Sequence, residues 1–406
     1  MLDSNKAAAA KFGIDLDFIE KRSNTQRNIE LLGNDLMFIS VREFERTKHV
    51  HRLHPYLGKF IPQLVEVFLK KYFKRGDTIL DPFSGSGTTL VEANVLGINS
   101  IGIELSPFNV LIQQVKTREY NIPEVEPEIK DALKRLKAFS YGLQNKTIPL
   151  FGPQLETYFI DSEYLKEWFS GRALQEILFY RNIIEEYKNA DLLKIILSRA
   201  ARSARLIPHY DLARPKKAVR KTYWCIKHKR YCEPINEALK FINRYSWDTI
   251  KRLKEFDKLR TDSFIKVIQG DARTMRLPDG INIDGIFTSP PYVGIIDYHE
   301  QHRYAYELFD FPRQDELEIG PASKGQNGNA KDAYLRGIVD TFRNVSKTLT
   351  NGAPVFIVAN DKFNLYPNIG KQCGFELVDV FHRPVLMRTE RDSNKYFESI
   401  FCFKKT

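Results

Sequence analysis

Five consecutive residues, Thr288-Ser289-Pro290-Pro291-Tyr292, combine a hydroxyl group, two prolines and an aromatic ring directly after an apolar stretch. The prolines lock the backbone and remove two N–H donors, which leaves carbonyl oxygens and the Ser289 hydroxyl as acceptors. Acceptors on both hydrogens of an aromatic amine would favour a pyramidal nitrogen and free its lone pair for attack on an electrophile. Tyr292 supplies a flat ring on which a base can stack. Alone, the same residues are equally typical of a proline-rich turn at the end of a strand.

A second candidate site is the segment Asp81-Pro82-Phe83-Ser84-Gly85-Ser86-Gly87-Thr88-Thr89, which follows a strand predicted at residues 78–80. Gly85 and Gly87 allow a tight turn and a close approach of the backbone to a ligand. Glu104 ends the next predicted strand, where a carboxylate can accept hydrogen bonds from both ribose hydroxyls of a nucleoside cofactor. These residues predict a nucleoside-binding turn, and the alternative is a plain connection between a strand and a helix.

Two familiar phosphate-binding patterns are excluded at this turn. The residue three positions after Gly87 is Leu90, so the glycine spacing of a dinucleotide-binding fingerprint fails. No lysine follows the glycines directly, so the turn is not a P-loop either.

Strands and helices alternate in two separate parts of the chain, and this alternation predicts an α/β domain with a mainly parallel sheet. One part is residues 51–118, where strands are predicted at 78–80 and 100–104. The other is residues 263–406, where further strands are predicted at 264–268, 283–287, 354–358, 375–381 and 397–403. The last two segments predict an antiparallel pair.

Residues 119–262 lack this alternation and are dominated by amphipathic helical stretches, for example at 174–187 and 192–205. They predict an inserted, mainly helical domain. Residues 1–50 predict an N-terminal extension of helix and loop.

Positive charge is concentrated in the inserted segment. The formal net charge is +11, and residues 199–230 contain eleven lysines and arginines against one acidic residue, Asp211. Such a block predicts contact with a polyanion, and the alternative is a solvated helix face. The candidate DNA-binding residues are Arg214, Lys216, Lys217, Arg220 and Lys221, together with Arg303 near the proline pair.

Composition excludes several other classes of protein. No run of 18 apolar residues predicts a membrane span, and the N-terminus lacks the apolar core of a signal peptide. Four cysteines give no disulfide framework, so a reducing, cytoplasmic setting is expected. Cys225, His228 and Cys232 are three candidate zinc ligands without a CxxC pair, so no metal site is expected.

Together these motifs resemble those of the DNA amino-methyltransferases, over about residues 54–110 and 264–310 and more loosely to the C-terminus. The resemblance implies a Rossmann-like S-adenosylmethionine-dependent methyltransferase sheet of seven mostly parallel strands with one antiparallel strand. Gly270-Asp271-Ala272 is similar to the position that contacts the cofactor adenine. Lys59, with His54-Pro55, is similar to the segment that helps to hold the methionine end. The implied cofactor-binding residues are Asp81, Phe83, Gly85, Gly87, Thr88, Glu104, Asp271, Ala272 and Lys59.

The resemblance assigns catalysis to Ser289, Pro290, Pro291 and Tyr292. Serine in the first position is associated with methylation of cytosine N4 in double-stranded DNA after base flipping, as in restriction-modification systems with a separate cognate endonuclease. Adenine N6 methylation, methylation of an RNA base amine, and an inactive DNA-binding module with the same fold are the alternatives. The insert resembles a target-recognition domain, but it precedes Asp271, so the loop at 319–331 is expected to share the recognition of bases.

Overall fold

The computed structural model describes residues 36, 38, 41–56, 60–145, 158–211, 215–277, 280–385 and 396–406. Nine strands form a seven-stranded sheet and a separate two-stranded hairpin. In chain order they are β1 (Thr78–Asp81), β2 (Asn99–Glu104), β3 (Tyr223–Cys225), β4 (Arg230–Cys232), β5 (Ile265–Gln269), β6 (Gly285–Thr288), β7 (Pro354–Ala359), β8 (Phe375–Val385) and β9 (Tyr396–Lys405).

The order of strands in the large sheet is β5-β2-β1-β6-β7-β9-β8. Neighbouring strands from β5 to β7 pair in parallel, whereas β9 pairs antiparallel with both β7 and β8. β9 is therefore the one antiparallel strand of the seven-stranded sheet that these residues form. This topology confirms the predicted methyltransferase sheet, including the antiparallel arrangement of its last two segments.

Thirteen α-helices are described. They are α1 (Glu43–Arg46), α2 (Pro62–Tyr72), α3 (Thr88–Val95), α4 (Pro107–Thr117), α5 (Ile122–Asn145), α6 (Glu163–Trp168), α7 (Gly171–Ile184), α8 (Ala190–Ala204), α9 (Leu239–Asp257), α10 (Tyr298–Gln301), α11 (Arg303–Phe309), α12 (Gly328–Ser346) and α13 (Tyr366–Gln372). No helix in these ranges is long and apolar enough to cross a membrane.

Apolar side chains cover both faces of the sheet. On one face Phe68 of α2 packs with Phe287 and Phe356 of the central strands. On the other face Ile286 packs with Phe342 of α12. Consecutive residues of β6 thus enter different cores, as the alternation of side chains along a strand requires. Burial on both faces explains why these strands are short apolar runs in the sequence.

The helical segment does not form a separate core. Helices α5 to α9 bury their apolar faces in one cluster with Phe108 of α4 and Tyr304 of α11, which flank the two halves of the sheet domain. The predicted helices at 174–187 and 192–205 correspond to α7 and α8. The hairpin β3–β4 between α8 and α9 was not predicted. Most of the N-terminal extension lies outside the described residues.

Gly285 makes the close packing of β6 against its neighbours possible. A Cβ atom built on it would lie 2.6 Å from the carbonyl oxygen of Pro354 on β7 and 2.5 Å from the Phe73 ring. The backbone oxygen is held in the sheet, so it has little freedom to move away.

Gly285→Ala should therefore lower the free energy of unfolding by about 1–3 kcal/mol, because overpacking strains the central strands. Gly328→Ala is the matched control, since a Cβ there meets nothing within 4 Å. Urea unfolding of both variants measures the difference. A Gly285→Ala protein as stable as the control would contradict this packing.

Candidate active site

Four polar side chains lie at the carboxyl ends of neighbouring parallel strands. Asp81 ends β1 and Glu104 ends β2, while Asp271 and Ser289 follow β5 and β6 closely. The sheet places these four ends side by side, because β5, β2, β1 and β6 are consecutive in it. In open α/β sheets this edge is the usual location of a ligand site.

A cavity opens at this edge, with about 900 Å³ of space including its open mouth. Nine of the predicted site residues line it: Asp81, Phe83, Gly85, Thr88, Glu104, Asp271, Ala272, Ser289 and Pro291. Gly87, Pro290 and Tyr292 are not among the lining residues. Lys59 lies outside the described residues.

The glycine turn has the left-handed backbone that its sequence predicts. Gly85 has φ +50° and Gly87 has φ +76°, a region that side chains with a Cβ disfavour. A Cβ on Gly87 would lie 2.9 Å from Cγ of Gln113, so this position has no room for a side chain. Gly87 precedes the first residue of α3 directly, and the turn therefore presents the N-terminus of that helix to the cavity.

Two residues of α4 form hydrogen bonds with the glycine turn, and sequence reasoning missed both. The Gln113 amide donates a hydrogen bond to the Gly85 carbonyl oxygen at 2.8 Å and accepts one from the Ser84 hydroxyl at 3.0 Å. Lys116, which is fully buried, donates from Nζ to the Ser86 carbonyl oxygen at 2.7 Å. No local pattern marks such long-range contacts, so only the folded structure shows them.

Glu104 is held by backbone donors on both carboxylate oxygens. Its Oε2 accepts a hydrogen bond from the Gly85 N–H at 2.8 Å, and its Oε1 accepts one from the Ser106 N–H at 2.9 Å. Burial raises the pKa of Glu104 to about 7 in spite of these donors. The ionised carboxylate is therefore poised to gain from further hydroxyl donors on a ligand.

Asp81 connects the glycine turn with the proline-pair loop. The Thr288 hydroxyl donates a hydrogen bond to its Oδ1 at 2.6 Å, and the Phe83 N–H donates another at 3.2 Å. Burial raises the pKa of Asp81 to about 6, against the effect of these donors. A buried carboxylate thus joins the two predicted motifs across adjacent strands.

Asp271 lines the cavity, but its carboxylate already has a strong partner. Arg273 forms an ion pair with it, with 2.6 Å between Nη2 and Oδ2, and also donates to the Leu317 carbonyl oxygen at 3.1 Å. Arg273 therefore fixes the position of the acid that was predicted to meet a cofactor adenine. Sequence analysis did not anticipate this arginine.

The proline-pair loop divides its polar groups between the cavity and the protein. Ser289 and Pro291 line the cavity, and the Tyr334 hydroxyl donates to the Pro291 carbonyl oxygen at 2.9 Å. Among the residues that the structure describes, none donates a hydrogen bond to the Pro290 carbonyl. Ser289 therefore offers an acceptor in the cavity wall, while the Pro290 carbonyl is free of donors among the described residues but is not itself part of the wall.

The structure does not bring the Tyr292 ring to the cavity, in contrast to the expectation that it stacks on a base. The residue is only 5% exposed and packs within the core of the sheet domain. Its hydroxyl donates to Oε1 of Glu398 at 3.0 Å, and Glu398 forms a buried ion pair with Arg383. The carboxylate and the apolar core together favour the inward position, so Tyr292 anchors the loop to β9.

Other aromatic residues line the cavity instead. Tyr56 and Tyr298 stack with their ring centroids 6.4 Å apart, and Phe60 also contributes to the wall. His54 of the segment preceding α2 turns away, because its Nε2 lies 2.9 Å from the Ser198 hydroxyl of α8. Sequence analysis singled out the His54-Pro55 pair, whereas Tyr56 beside it is the residue that reaches the site.

Unpaired polar atoms show which kind of ligand the cavity suits. The buried hydroxyls of Ser86 and Thr88 have no hydrogen-bond partner among the described residues, although both residues line the cavity. Buried hydroxyls are normally paired, so a polar group of a ligand is expected beside them. With Glu104, the glycine turn and the aromatic wall, they fit a nucleoside that carries a charged chain.

The basic block does not form one surface, which corrects the sequence interpretation. Arg199 is buried in an ion pair with Asp248 at 2.7 Å, and the Arg205 guanidinium lies 5.0 Å over the Tyr304 ring. These two arginines pack inside the helical segment. The exposed candidates are Lys216, Lys217, Arg220 and Lys221, whereas Arg214 lies outside the described residues.

Two of the candidate DNA contacts are already engaged within the protein. The Arg220 guanidinium donates to the Glu167 carbonyl oxygen at 2.8 Å. Arg303 forms an ion pair with Glu307 at 3.1 Å and lies over the Tyr164 ring at 4.8 Å. Lys216, Lys217 and Lys221 are therefore the exposed cations best placed for a polyanion.

The chain is similar to DNA-modifying enzymes of known family. A family profile described as DNA methylase matches residues 20–114. Type II methyltransferase M.MjaII of Methanocaldococcus jannaschii is 42% identical over 457 residues, with 95% of this chain and 86% of that protein covered. Type II methyltransferase M.MvaI of Kocuria varians is 23% identical over 335 residues, with 79% and 68% covered.

Among solved structures, TrmN from Thermus thermophilus aligns with a TM-score of 0.33 and 12% identity, covering 86% of this chain and 50% of that one. The fold assignment rests on the sheet topology described above. The similarity to M.MjaII extends over nearly the whole chain. The chain therefore belongs to the S-adenosylmethionine-dependent DNA amino-methyltransferases.

Proposed function

We propose that this protein methylates cytosine N4 in double-stranded DNA as the modification enzyme of a restriction-modification system. The observation that carries the proposal is the position of Ser289, which lines the same cavity as Glu104 and is linked to the glycine turn through Thr288 and Asp81. A neutral hydroxyl, and not a carboxylate, thus occupies the first position of the catalytic motif.

Different residues of the cavity suit different parts of the cofactor. Glu104 accepts from the ribose hydroxyls, while the Ser86 and Thr88 hydroxyls and the start of α3 serve the charged methionine end. Asp271, fixed by Arg273, faces the base together with Phe83 and Ala272. S-adenosylmethionine, when bound, supplies an electrophilic methyl group on a sulfonium.

Ser289 and Pro290 act on the target amine. The Ser289 hydroxyl and the Pro290 carbonyl accept the two N–H hydrogens, which withdraws the nitrogen lone pair from the ring and directs it to the methyl group. As the N–C bond forms, the C–S bond of the sulfonium would break to leave a neutral thioether, and the proton that the amine loses would pass through one of these two acceptors to solvent. Tyr334 holds the Pro291 carbonyl, and Tyr292 anchors the loop through Glu398. These contacts orient the acceptors before the substrate arrives, and orientation of this kind accounts for much of the rate in a transfer reaction.

A base inside a duplex cannot enter this cavity, so the target nucleotide must flip out at a cost of about a few kcal/mol. Tyr298 and Tyr56 line the cavity as a stacked pair and offer flat surfaces to the cofactor adenine or to the flipped base. The exposed lysines of the helical segment contact phosphates, which supplies affinity that depends on salt but not on sequence.

The reaction product identifies the target base. Nucleosides from DNA of a cell that expresses the protein should contain N4-methylcytosine when analysed by mass spectrometry. N6-methyladenine as the only new nucleoside would overturn the assignment of the target and leave the family assignment intact.

Ser289→Ala should lower turnover by about 10²-fold, because it removes one of the two acceptors on the reacting amine. Its affinity for S-adenosylmethionine, measured by calorimetry, should stay within about twofold. Ser346→Ala on α12, which removes a hydroxyl that bonds only the Arg343 carbonyl oxygen, is the matched control. Full turnover of Ser289→Ala would refute the catalytic role.

Cofactor binding should depend on pH through Glu104. The pKa of Glu104 is raised to about 7, so the carboxylate that accepts from the ribose is lost as the pH falls through 7. The dissociation constant for S-adenosylmethionine should rise roughly tenfold for each pH unit below 7, because binding then requires release of a proton.

Glu104→Gln is the control for this effect. It should bind the cofactor roughly ten- to a hundredfold more weakly at pH 8 and show little pH dependence between pH 6 and 8. Titration of the ligand itself would affect both proteins equally. The same pH dependence in wild type and Glu104→Gln would show that another group is responsible.

The exposed lysines of the helical segment should contribute to the affinity for DNA. Replacing Lys216, Lys217 and Lys221 by alanine should weaken binding to any duplex and reduce the salt slope by roughly 1 for each lost phosphate contact. A triple variant of exposed lysines elsewhere, Lys74, Lys258 and Lys371, should leave both quantities unchanged. Equal effects of the two triple variants would exclude a specific DNA face here.

A further inference from the structure

Four side chains that the proposed reaction does not use form a cluster at the hairpin β3–β4. His209, Cys225, His228 and Cys232 each offer one ligand atom, and these atoms all lie within 4.8 Å of one another. Sequence reasoning discounted the last three residues because three candidate ligands without a CxxC pair are weak evidence for zinc. The fold brings His209 to them from the loop after α8.

We propose that these four residues bind a structural zinc ion. Two sulfur and two nitrogen ligands in a tetrahedron are typical of structural zinc sites, with about 2.3 Å to sulfur and about 2.0–2.1 Å to nitrogen. Such a tetrahedron separates its donor atoms by about 3.3–3.8 Å.

The observed distances need only small shifts to reach this geometry. Nδ1 of His228 lies 3.5 Å from Sγ of Cys232, and Nδ1 of His209 lies 3.9 Å from Sγ of Cys225. The two imidazole rings are 4.7 Å apart between centroids. The Tyr223 hydroxyl accepts a hydrogen bond from the backbone N–H of His209 at 3.1 Å, which restrains the backbone that carries the ring. The same hydroxyl lies 3.1 Å from Nδ1 of His209, a contact that a zinc ion on Nδ1 would replace.

Packing of apolar side chains does not explain why the two thiols are buried. Cys225 and Cys232 are 0% and 7% exposed, yet neither belongs to any of the three apolar clusters formed by the described residues. Each strand of the hairpin has only three residues, and a lone two-stranded hairpin is marginally stable in water. A metal ion would supply the missing stabilisation.

The alternation of side chains along the hairpin separates the two cysteines from an exposed, aromatic outer face. Cys225 and Cys232 lie on the inner face, whereas Trp224 and Tyr231 pair across the strands on the outer face and are 53% and 70% exposed. Lys227, Lys229 and Arg230 are exposed close to them. Two thiolates neutralise the charge of a zinc ion, so the basic character of the hairpin is retained.

In two other groups of potential ligands, the glutamate carboxylate already has protein partners. Glu92, near His49 and His51, is fully buried and forms an ion pair with the partly exposed Lys48 at 2.8 Å. Glu318, near His299, accepts the backbone N–H of His299 at 2.8 Å. Only the hairpin cluster combines two thiols and two imidazoles within the described chain.

The zinc site does not depend on the proposed reaction. The expected effect of zinc on the affinity for DNA rests on the proposed function. Zinc ties the loop after α8 to the hairpin and so fixes the segment that carries Lys216, Lys217 and Lys221. Loss of the metal should therefore weaken DNA binding and leave S-adenosylmethionine binding unchanged.

Metal analysis of the full chain, purified under reducing conditions, tests the site. Wild type should contain about one zinc per chain, and Cys225→Ser and Cys232→Ser should each lose at least about tenfold in bound zinc. Cys373→Ser, at a buried cysteine of the sheet domain, is the matched control and should retain zinc. Cobalt substitution should give charge-transfer bands of thiolate ligation in wild type and not in Cys225→Ser.

Cofactor binding serves as the check that the variants fold. Wild type without zinc after reduction and incubation with zinc would overturn the proposal, as would Cys225→Ser with full zinc content. A Cys225–Cys232 disulfide, seen as a loss of two mass units in protein prepared without reductant and accompanied by no metal binding after reduction, would also overturn it. If zinc is present but its removal leaves the affinity for DNA unchanged, the zinc site is supported and its link to the proposed function is refuted.

Discussion

The hydrogen bond between Thr288 and Asp81 holds the two halves of the active site in one geometry. It spans 2.6 Å between residues 207 positions apart in the sequence, and it lies where β1 and β6 end side by side. The bond is buried, so loss of either partner would leave an unpaired polar group in a low-dielectric setting. The glycine turn and the loop that carries Ser289 are therefore tied to each other.

The helical segment is coupled to this site through a shared core. Its helices pack on α4, which also carries Gln113 and Lys116, the two residues that support the glycine turn. α11, which follows Tyr298 of the cavity wall, packs into the same core. Contacts made by the helical segment with DNA would therefore act on a rigid frame continuous with the cofactor site. An insertion between the two halves of the sheet is well suited to this coupling.

Much of the fold was predictable because its signals are local. Pro62 begins α2 as expected, and the strands lie within about two residues of their predicted bounds, except that β8 extends four residues further than predicted. The strand-end residues converge because parallel strands impose it. The hairpin β3–β4 escaped prediction because three-residue strands in a basic segment carry no clear alternation. The contacts of Lys116, Arg273 and His209 were not predicted because they depend on residues distant in the chain or on the folded path of a loop.

The position of Tyr292 was predicted wrongly because a tyrosine suits a base-stacking role and a buried, hydrogen-bonded role equally well. The charge block was overestimated because charge along the sequence does not reveal which arginines face inward.

The central claim is that Ser289 and Pro290 present their acceptors to a flipped cytosine inside the cavity that holds the cofactor. A crystal structure of the protein with a non-reactive cofactor analogue and a duplex containing its target site tests this directly. The expected result is an extrahelical cytosine with N4 within hydrogen-bond distance of the Ser289 hydroxyl and the Pro290 carbonyl, and the analogue ribose on Glu104. A target base that stays stacked in the duplex, or an amine directed away from Ser289, would contradict the claim.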